Sequence, residues 1–168
     1  WSIDHPHHRG IYWAWPEVGY GGELGDLHAL QKVFARPTGK LAFRSGPVFA
    51  QVTAENQWLW DDRDPSVREI AIIRAYRETA QGRVIDLAFK FTALKDGITL
   101  ARRGTEHYGG LNVRMETPQA QSISTHTDPL GASCRRAWSD LSGVFGASTT
   151  PSGLTVMQCQ RNPDYPGG

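Results

Sequence analysis

Residues 83–92 read Arg-Val-Ile-Asp-Leu-Ala-Phe-Lys-Phe-Thr, and this stretch indicates the fold class. Its large apolar residues recur at every second position, which is the period of a β-strand with one buried face. They are Ile85, Leu87, Phe89 and Phe91. Asp86 and Lys90 occupy the alternate positions, so the opposite face of the strand is expected to meet water.

The stretch is followed by Asp96-Gly97, a dipeptide typical of tight hairpin turns. We therefore predict that residues 83–92 and 96–103 form an antiparallel pair. Similar alternation marks residues 48–54 and 69–78, and short apolar runs at 141–147 and 153–159 flank a turn at 149–153. No segment of 12 or more residues has a clean helical period. The sequence predicts an all-β protein with less than about a fifth helix, built as an antiparallel β-sandwich or jelly-roll-like fold.

Length and charge limit the classes of function. A chain of 168 residues fits one domain, 1–168, with an adequate core. Eighteen basic residues against 17 acidic ones make no field strong enough for nucleic acid or an anionic membrane. No apolar run approaches the roughly 18 residues of a membrane span. We expect a soluble protein with neither a nucleic acid nor a membrane as partner, and its oligomeric state stays open.

The ends of the chain suggest a fragment. It starts at Trp1 without an initiator Met and stops in the turn residues Pro166-Gly167-Gly168. An incomplete sandwich is expected to leave sheet edges unpaired and apolar surface bare, and so to aggregate or dimerise. Cys134 and Cys159 allow either one disulfide or two free core thiols.

The first candidate site is the histidine-rich segment Asp4–Gly10, which precedes an aromatic stretch. In an extended chain, His5 and His7 point to one side and His8 to the other. Two imidazoles on one side can bind a divalent metal if a third ligand comes from elsewhere. The same histidines with Arg9 can instead bind sugar hydroxyls or a carboxylate and exchange protons. A third interpretation is a loop whose histidines only form local hydrogen bonds, and all three alternatives remain open at this stage.

Two further segments carry polar and aromatic side chains together. In Thr105–Met115, a pair of glycines precedes a strand that presents Arg114, whose planar guanidinium can bind a carboxylate or paired hydroxyls. In Arg135–Asp140, Trp138 can stack on a sugar ring while Asp140 accepts its hydroxyls. Trp58 and Trp60, which alternate before two aspartates, could serve in the same way or lie in the core.

These motifs together resemble a bacterial family labelled "methane oxygenase PmoA" and otherwise regarded as a domain of unknown function. The resemblance rests on Asp4–Gly10, His107–Arg114, Ala137–Asp140 and Arg161–Pro166, in the family's order. It implies a β-sandwich similar to galactose-mutarotase-like or jelly-roll carbohydrate proteins. It also implies a role with carbohydrates in a bacterium and favours a periplasmic or secreted location, with the cytoplasm left open.

Our leading hypothesis is therefore acid–base chemistry on a sugar or an oxidised sugar, as in an epimerase, lyase or hydrolase. His7 and His107 are the candidate acid and base, and the segments His5–Arg9 and His107–Arg114 are expected side by side around a polar cleft. The substrate-binding candidates are Arg9, Arg114, Tyr108, Trp138 and Asp140.

Two alternatives belong to other classes. One is a carbohydrate-binding module without catalysis, which would use the same aromatic and arginine side chains. The other is a metal-dependent oxygenase, as the family label suggests, with His5, His7 and His107 as ligands. The sequence requires no cofactor, and a divalent metal belongs only to this last alternative.

Overall fold

The computed structural model describes residues 10–103, 109–126, 137–163 and 165. These residues form antiparallel sheets without any helix, so the prediction of an all-β protein is confirmed and the architecture is consistent with a β-sandwich. No helix capable of crossing a bilayer occurs among them. The strands are β1 (Gly10–Ala14), β2 (Glu17–Tyr20), β3 (Glu23–Gly25), β4 (Val33–Ser45), β5 (Phe49–Trp60), β6 (Asp64–Tyr76), β7 (Ile85–Ala93), β8 (Thr99–Ala101), β9 (Gly110–Arg114), β10 (Gln119–Thr125), β11 (Trp138–Val144) and β12 (Ser152–Met157).

The chain divides into two compact units. Of the described residues, 10–103 and 109–113 form the larger unit, and 114–126, 137–163 and 165 belong to the smaller one. The larger unit contains a four-stranded sheet in the order β4-β5-β6-β7, a three-stranded sheet in the order β3-β2-β8, and the pair β1-β9. The described strands β10, β11 and β12 of the smaller unit form one sheet in that order.

The four-stranded sheet is a meander of long neighbouring strands. Short connections join them, and Asp61 and Asp62 adopt positive φ angles in the tight turn between β5 and β6. The register runs from Val33↔Trp60 to Ser45↔Ala50 and, on the next pair, from Phe49↔Tyr76 to Trp60↔Asp64. Each strand pairs along most of its length with the next strand in sequence. Because side chains alternate between the two faces, those of successive strands line up in rows on each face of the sheet.

One end of this sheet packs into an aromatic core. Trp58 is fully buried, and its ring lies 5.7 Å from Trp15 and 5.4 Å from Phe91, centroid to centroid. Trp13 stacks on Trp15 at 5.1 Å and meets Phe91 edge-on. The tryptophans of β1 and its continuation therefore cover the apolar face of the sheet at this end. Trp60 is buried beside Tyr20, so Trp58 and Trp60 are core residues rather than ligand platforms.

The predicted hairpin of residues 83–92 with 96–103 is wrong. Strand β7 pairs with β6 over nine residues, from Val67↔Ala93 to Ala75↔Ile85, whereas β8 pairs with β2 in a different sheet. Gly97 does adopt the positive φ expected of the turn, at 74°. The turn changes the chain direction, but the longer ladder that β6 offers decides which strand pairs with β7.

The side-chain faces of residues 83–92 follow the predicted alternation. Phe89 and Phe91 share one face and stack at 6.4 Å, and both are half-buried. Ile85, however, is 48% exposed, so the prediction that all four apolar residues are buried is also wrong. The reason is that the core covers only one end of the sheet.

Candidate functional site

The sheet β10-β11-β12 brings two of the predicted site residues onto one face. Its register pairs Ser124↔Asp140 and Asp140↔Thr155, and Trp138 lies opposite Met157. Directly opposed residues in antiparallel strands share a face, as do residues two apart on one strand. We call the resulting surface the polar sheet face. Its members are Ser122, Ser124, His126, Trp138, Asp140, Ser142, Gly153, Thr155 and Met157.

Trp138 and Asp140 lie in the central strand of this face. Both are half-buried, so each keeps accessible surface while its neighbours hold it in place. Thr155 donates its hydroxyl proton to Asp140 Oδ1 at 2.6 Å. Neither Asp140 Oδ2 nor Trp138 Nε1 forms a hydrogen bond within the described part of the chain. The face therefore offers an aromatic ring and a carboxylate oxygen to a ligand.

The spacing of the two groups suits a ring-shaped polar ligand. Residues two apart on a strand are separated by roughly 7 Å, so a ring stacked on Trp138 extends its substituents towards Asp140. The exposed side chain of Met157 widens the apolar strip beside the indole. Ser124 and Thr155 flank Asp140. The Ser124 hydroxyl can donate and accept hydrogen bonds, whereas the Thr155 hydroxyl donates its proton to Asp140 and can accept from a ligand.

His126 is a member of the face that the sequence reasoning missed. Its backbone N–H donates to the Trp138 carbonyl at 3.1 Å, which continues the β10–β11 register by one residue and places His126 opposite Trp138. The exposed imidazole is thus a diagonal neighbour of Asp140. The polar spacing of two in Ser122, Ser124 and His126 is the signal that could have revealed it.

The larger unit holds a second polar cluster at its three-stranded sheet. Asp26 Oδ1 accepts the backbone N–H groups of His28 at 2.8 Å and Ala29 at 2.9 Å, and Asp26 Oδ2 accepts a guanidinium N–H of Arg103. The buried His28 ring meets Tyr12 edge-on at 5.9 Å. Because the Asp26 carboxylate is occupied by these donors, the cluster is best explained as a cap that fixes the loop between β3 and β4.

Ion pairs on the surface of the four-stranded sheet and its β5–β6 turn shift the pKa values of two acidic side chains. The hydrogen bond from Arg36 lowers the pKa of the Asp62 carboxyl, and the hydrogen bond from Lys40 lowers that of Glu55. The two ion pairs measure 2.7 Å and 2.8 Å. All of these groups belong to the larger unit.

Most of the other predicted site residues lie outside the described part of the chain. These are His5, His7, Arg9, His107 and Tyr108. Arg114 is half-buried at the end of β9, which is hydrogen-bonded to β1. The described residues contain no group of three potential metal ligands. Cys159 carries a free thiol, in agreement with the second of the two alternatives, but it is exposed and does not lie in the core. Cys134 lies outside the described ranges.

The comparison with protein families is decisive for classification. The model of a family of unknown function, DUF6807, matches residues 2–168. The chain belongs to DUF6807. This membership confirms the resemblance at the level of a family of unknown function, whereas the methane oxygenase label is not shown. No curated protein and no solved structure matches this DUF6807 chain.

Proposed function

We propose that this DUF6807 protein binds a carbohydrate on the polar sheet face. The observation that carries the proposal is that the half-buried Trp138 shares a sheet face with an Asp140 oxygen that has no hydrogen-bond partner among the described residues. Sugar-binding proteins combine an aromatic ring, which stacks on the C–H face of a pyranose, with carboxylates that accept its hydroxyl protons. Ser124 and Thr155 supply further hydroxyl partners on the same face.

The polar sheet face is an open surface, which suits binding of a ligand along the sheet better than its enclosure in a pocket. Ser122, Ser124, Thr155 and Met157 are all exposed, so a ligand would lie along the strands and keep one side in water. Such a surface suits a short oligosaccharide or a chain end. The role proposed for Trp138 is stacking, and the role proposed for Asp140 is acceptance of two hydroxyl protons.

The test is to titrate the 168-residue chain with a panel of neutral and oxidised oligosaccharides and to monitor binding by NMR chemical shifts. Trp138→Ala is expected to weaken binding at least tenfold, because an aromatic contact contributes about 0.5–1.5 kcal/mol beyond its buried area. Asp140→Asn should weaken binding by a similar factor. Ser139→Ala is the matched control, since Ser139 lies on the opposite face of the same strand.

Two results would contradict the proposal. The first is that no oligosaccharide of the panel binds at millimolar concentration. The second is that Ser139→Ala weakens binding as much as Trp138→Ala. Binding would then depend on the integrity of strand β11 and not on contacts with the polar sheet face. Chemical-shift changes in β10–β12 on titration, absent from Trp138→Ala, would support the location independently.

A second candidate function is acid–base catalysis on a sugar or an oxidised sugar by His7 and His107, with Arg9, Arg114 and Tyr108 orienting the substrate. The observation that favours it is the pairing of β1 with β9, since these strands follow the two histidine motifs directly in sequence. His7→Ala and His107→Ala should then abolish turnover and leave the melting temperature nearly unchanged. Intact turnover in both variants would exclude this role.

A further inference from the structure

The four-stranded sheet has an apolar face that the core covers only in part. The strand register places twelve side chains on this face in three rows. Each row contains one residue from each of the four strands, paired with its neighbours across the sheet. We call them the apolar sheet face. They are Leu41, Ala54, Ala71 and Phe89 in the first row, Phe43, Val52, Ile73 and Leu87 in the second, and Ser45, Ala50, Ala75 and Ile85 in the third.

Exposure increases along this face with distance from the aromatic core. In the first row, Ala71 is buried and Phe89 packs on Trp13 at 5.1 Å. Beyond that row, Phe43 is 74% exposed and Ile85 is 48% exposed. The adjoining row on the core side contains Asn56 and Glu69, which are joined by a 2.9 Å hydrogen bond. A polar pair therefore marks where the continuous apolar surface begins.

The shape of the face is a shallow trough. The outer strands β4 and β7 carry large side chains, whereas the middle strands carry mostly alanine and valine. A groove of about 350 Å³ lies along β4, β5 and β6, with Phe43, Val52 and Ile73 among its lining residues. Large side chains of a facing layer can occupy such a groove, as in the packing of two sheets about 10 Å apart.

Charge distinguishes the two faces of this sheet. None of the twelve side chains of the apolar sheet face is charged. The opposite face carries five cations, Arg36, Arg44, Arg68, Arg74 and Lys90, and two anions, Glu55 and Asp86. Two copies that meet through the apolar sheet face remove no charged side chain of its three rows from water, whereas contact through the opposite face would desolvate several charges.

The exposed area is sufficient for a modest dimer. Leu41, Phe43, Ile73 and Ile85 together expose roughly 450 Å² of apolar side chain, the size of the largest patch on a typical monomer (about 300–600 Å²), which is often functional. With the half-buried neighbours, about 600 Å² per copy and about 1,200 Å² in total could be buried, at the lower end of stable protein interfaces. A twofold axis pairs this face with the same face of a second copy, which closes the assembly at two copies.

We propose that the apolar sheet face is the interface for a second copy of this chain, which packs on it face to face. The interface joins the exposed side chains of the apolar sheet face, Leu41 of the first row and those of the second and third rows, with the same side chains of the partner. Leu41 and Phe43 on the outer strand β4 would enter the trough of the facing sheet. Burial of these side chains explains why the three rows of the apolar sheet face carry no charge.

The test is sedimentation equilibrium of the 168-residue chain between about 1 and 200 μM, a range that spans the affinity of a modest interface. We expect a monomer–dimer equilibrium. The variant Leu41→Lys/Phe43→Lys should raise the dimer dissociation constant at least tenfold. Ala42→Lys is the matched control, because Ala42 lies between them and faces the opposite side. The three positions are exposed, so folding should persist, and the near-ultraviolet spectrum of the buried tryptophans verifies it.

Several results would overturn the proposal. A monomer at every concentration shows that another occupant, such as a further segment or a different protein, covers the face. Association that continues past the dimer indicates pairing of strand edges instead. Equal loss of the dimer in Ala42→Lys, or its retention in the double variant, places the interface elsewhere.

Discussion

The buried Trp58–Glu69 contact allows a quantitative test of the core. Trp58 Nε1 donates to Glu69 Oε2 at 2.8 Å, and Asn56 Nδ2 donates to Glu69 Oε1 at 2.9 Å. Both Trp58 and Glu69 are buried, and no cation pairs with this carboxylate among the described residues. Trp58→Phe keeps an aromatic ring in the core but removes one of the two side-chain donors that replace water around the carboxylate.

The expected loss of stability has two parts. A hydrogen bond to a charged group contributes about 1.5–3 kcal/mol when its partner stays buried. The smaller phenyl ring loses apolar contact and leaves a small cavity beside Trp15 and Phe91, which costs about 1–2 kcal/mol. We therefore expect Trp58→Phe to lower the free energy of unfolding by about 3–5 kcal/mol.

Trp60→Phe is the matched control. Trp60 is also buried on β5, but its Nε1 forms no hydrogen bond within the described ranges, so only the packing loss of about 1–2 kcal/mol applies. Urea denaturation followed by far-ultraviolet circular dichroism measures both variants with unchanged m values. If Trp58→Phe is no more destabilising than Trp60→Phe, the hydrogen bond to Glu69 does not stabilise the fold and the reasoning fails.

Three further predictions concern local interactions. A Cβ at Gly143 would lie 2.7 Å from Pro118 Cβ, so Gly143→Ala should destabilise the protein by about 2 kcal/mol in urea unfolding. Asp26→Ala removes the cap of two backbone N–H groups and should cost about 1–2 kcal/mol, with faster proteolysis at that loop. Folding lowers the pKa of Asp62 below its usual 3.8, so the stabilisation by Arg36 exists above that value and is lost as pH falls through the folded value. The melting-temperature difference between Arg36→Gln and wild type should thus be measurable at pH 6 and vanish near pH 2; a difference independent of pH would contradict this cause.

Local sequence pattern was sufficient for the strands but insufficient for their partners. The alternation in residues 83–92 correctly predicted β7 and the shared face of Phe89 and Phe91. The Asp-Gly turn after it was correctly located, yet the chain beyond it joins β2. A turn fixes the local backbone direction, whereas strand pairing depends on the length of ladder that a distant strand can offer.

The candidate site shows the same division. Trp138 and Asp140 could be selected from the sequence, because their side-chain chemistry and spacing of two are local properties. His126 could not, since its place opposite Trp138 arises only from the β10–β11 register. Trp58 and Trp60 have the same spacing as the site residues, and only tertiary packing shows that they belong to the core.

The sequence by itself determined that the protein is all-β and which side chains share a strand face, because both follow from a backbone period of two. Tertiary structure decided which faces are covered. Phe91 and Ile85 lie on the same face of β7, but Phe91 meets Trp15 and Trp58 while Ile85 remains exposed. Burial depends on whether another layer lies against that part of the sheet, and no local pattern encodes the position of that layer.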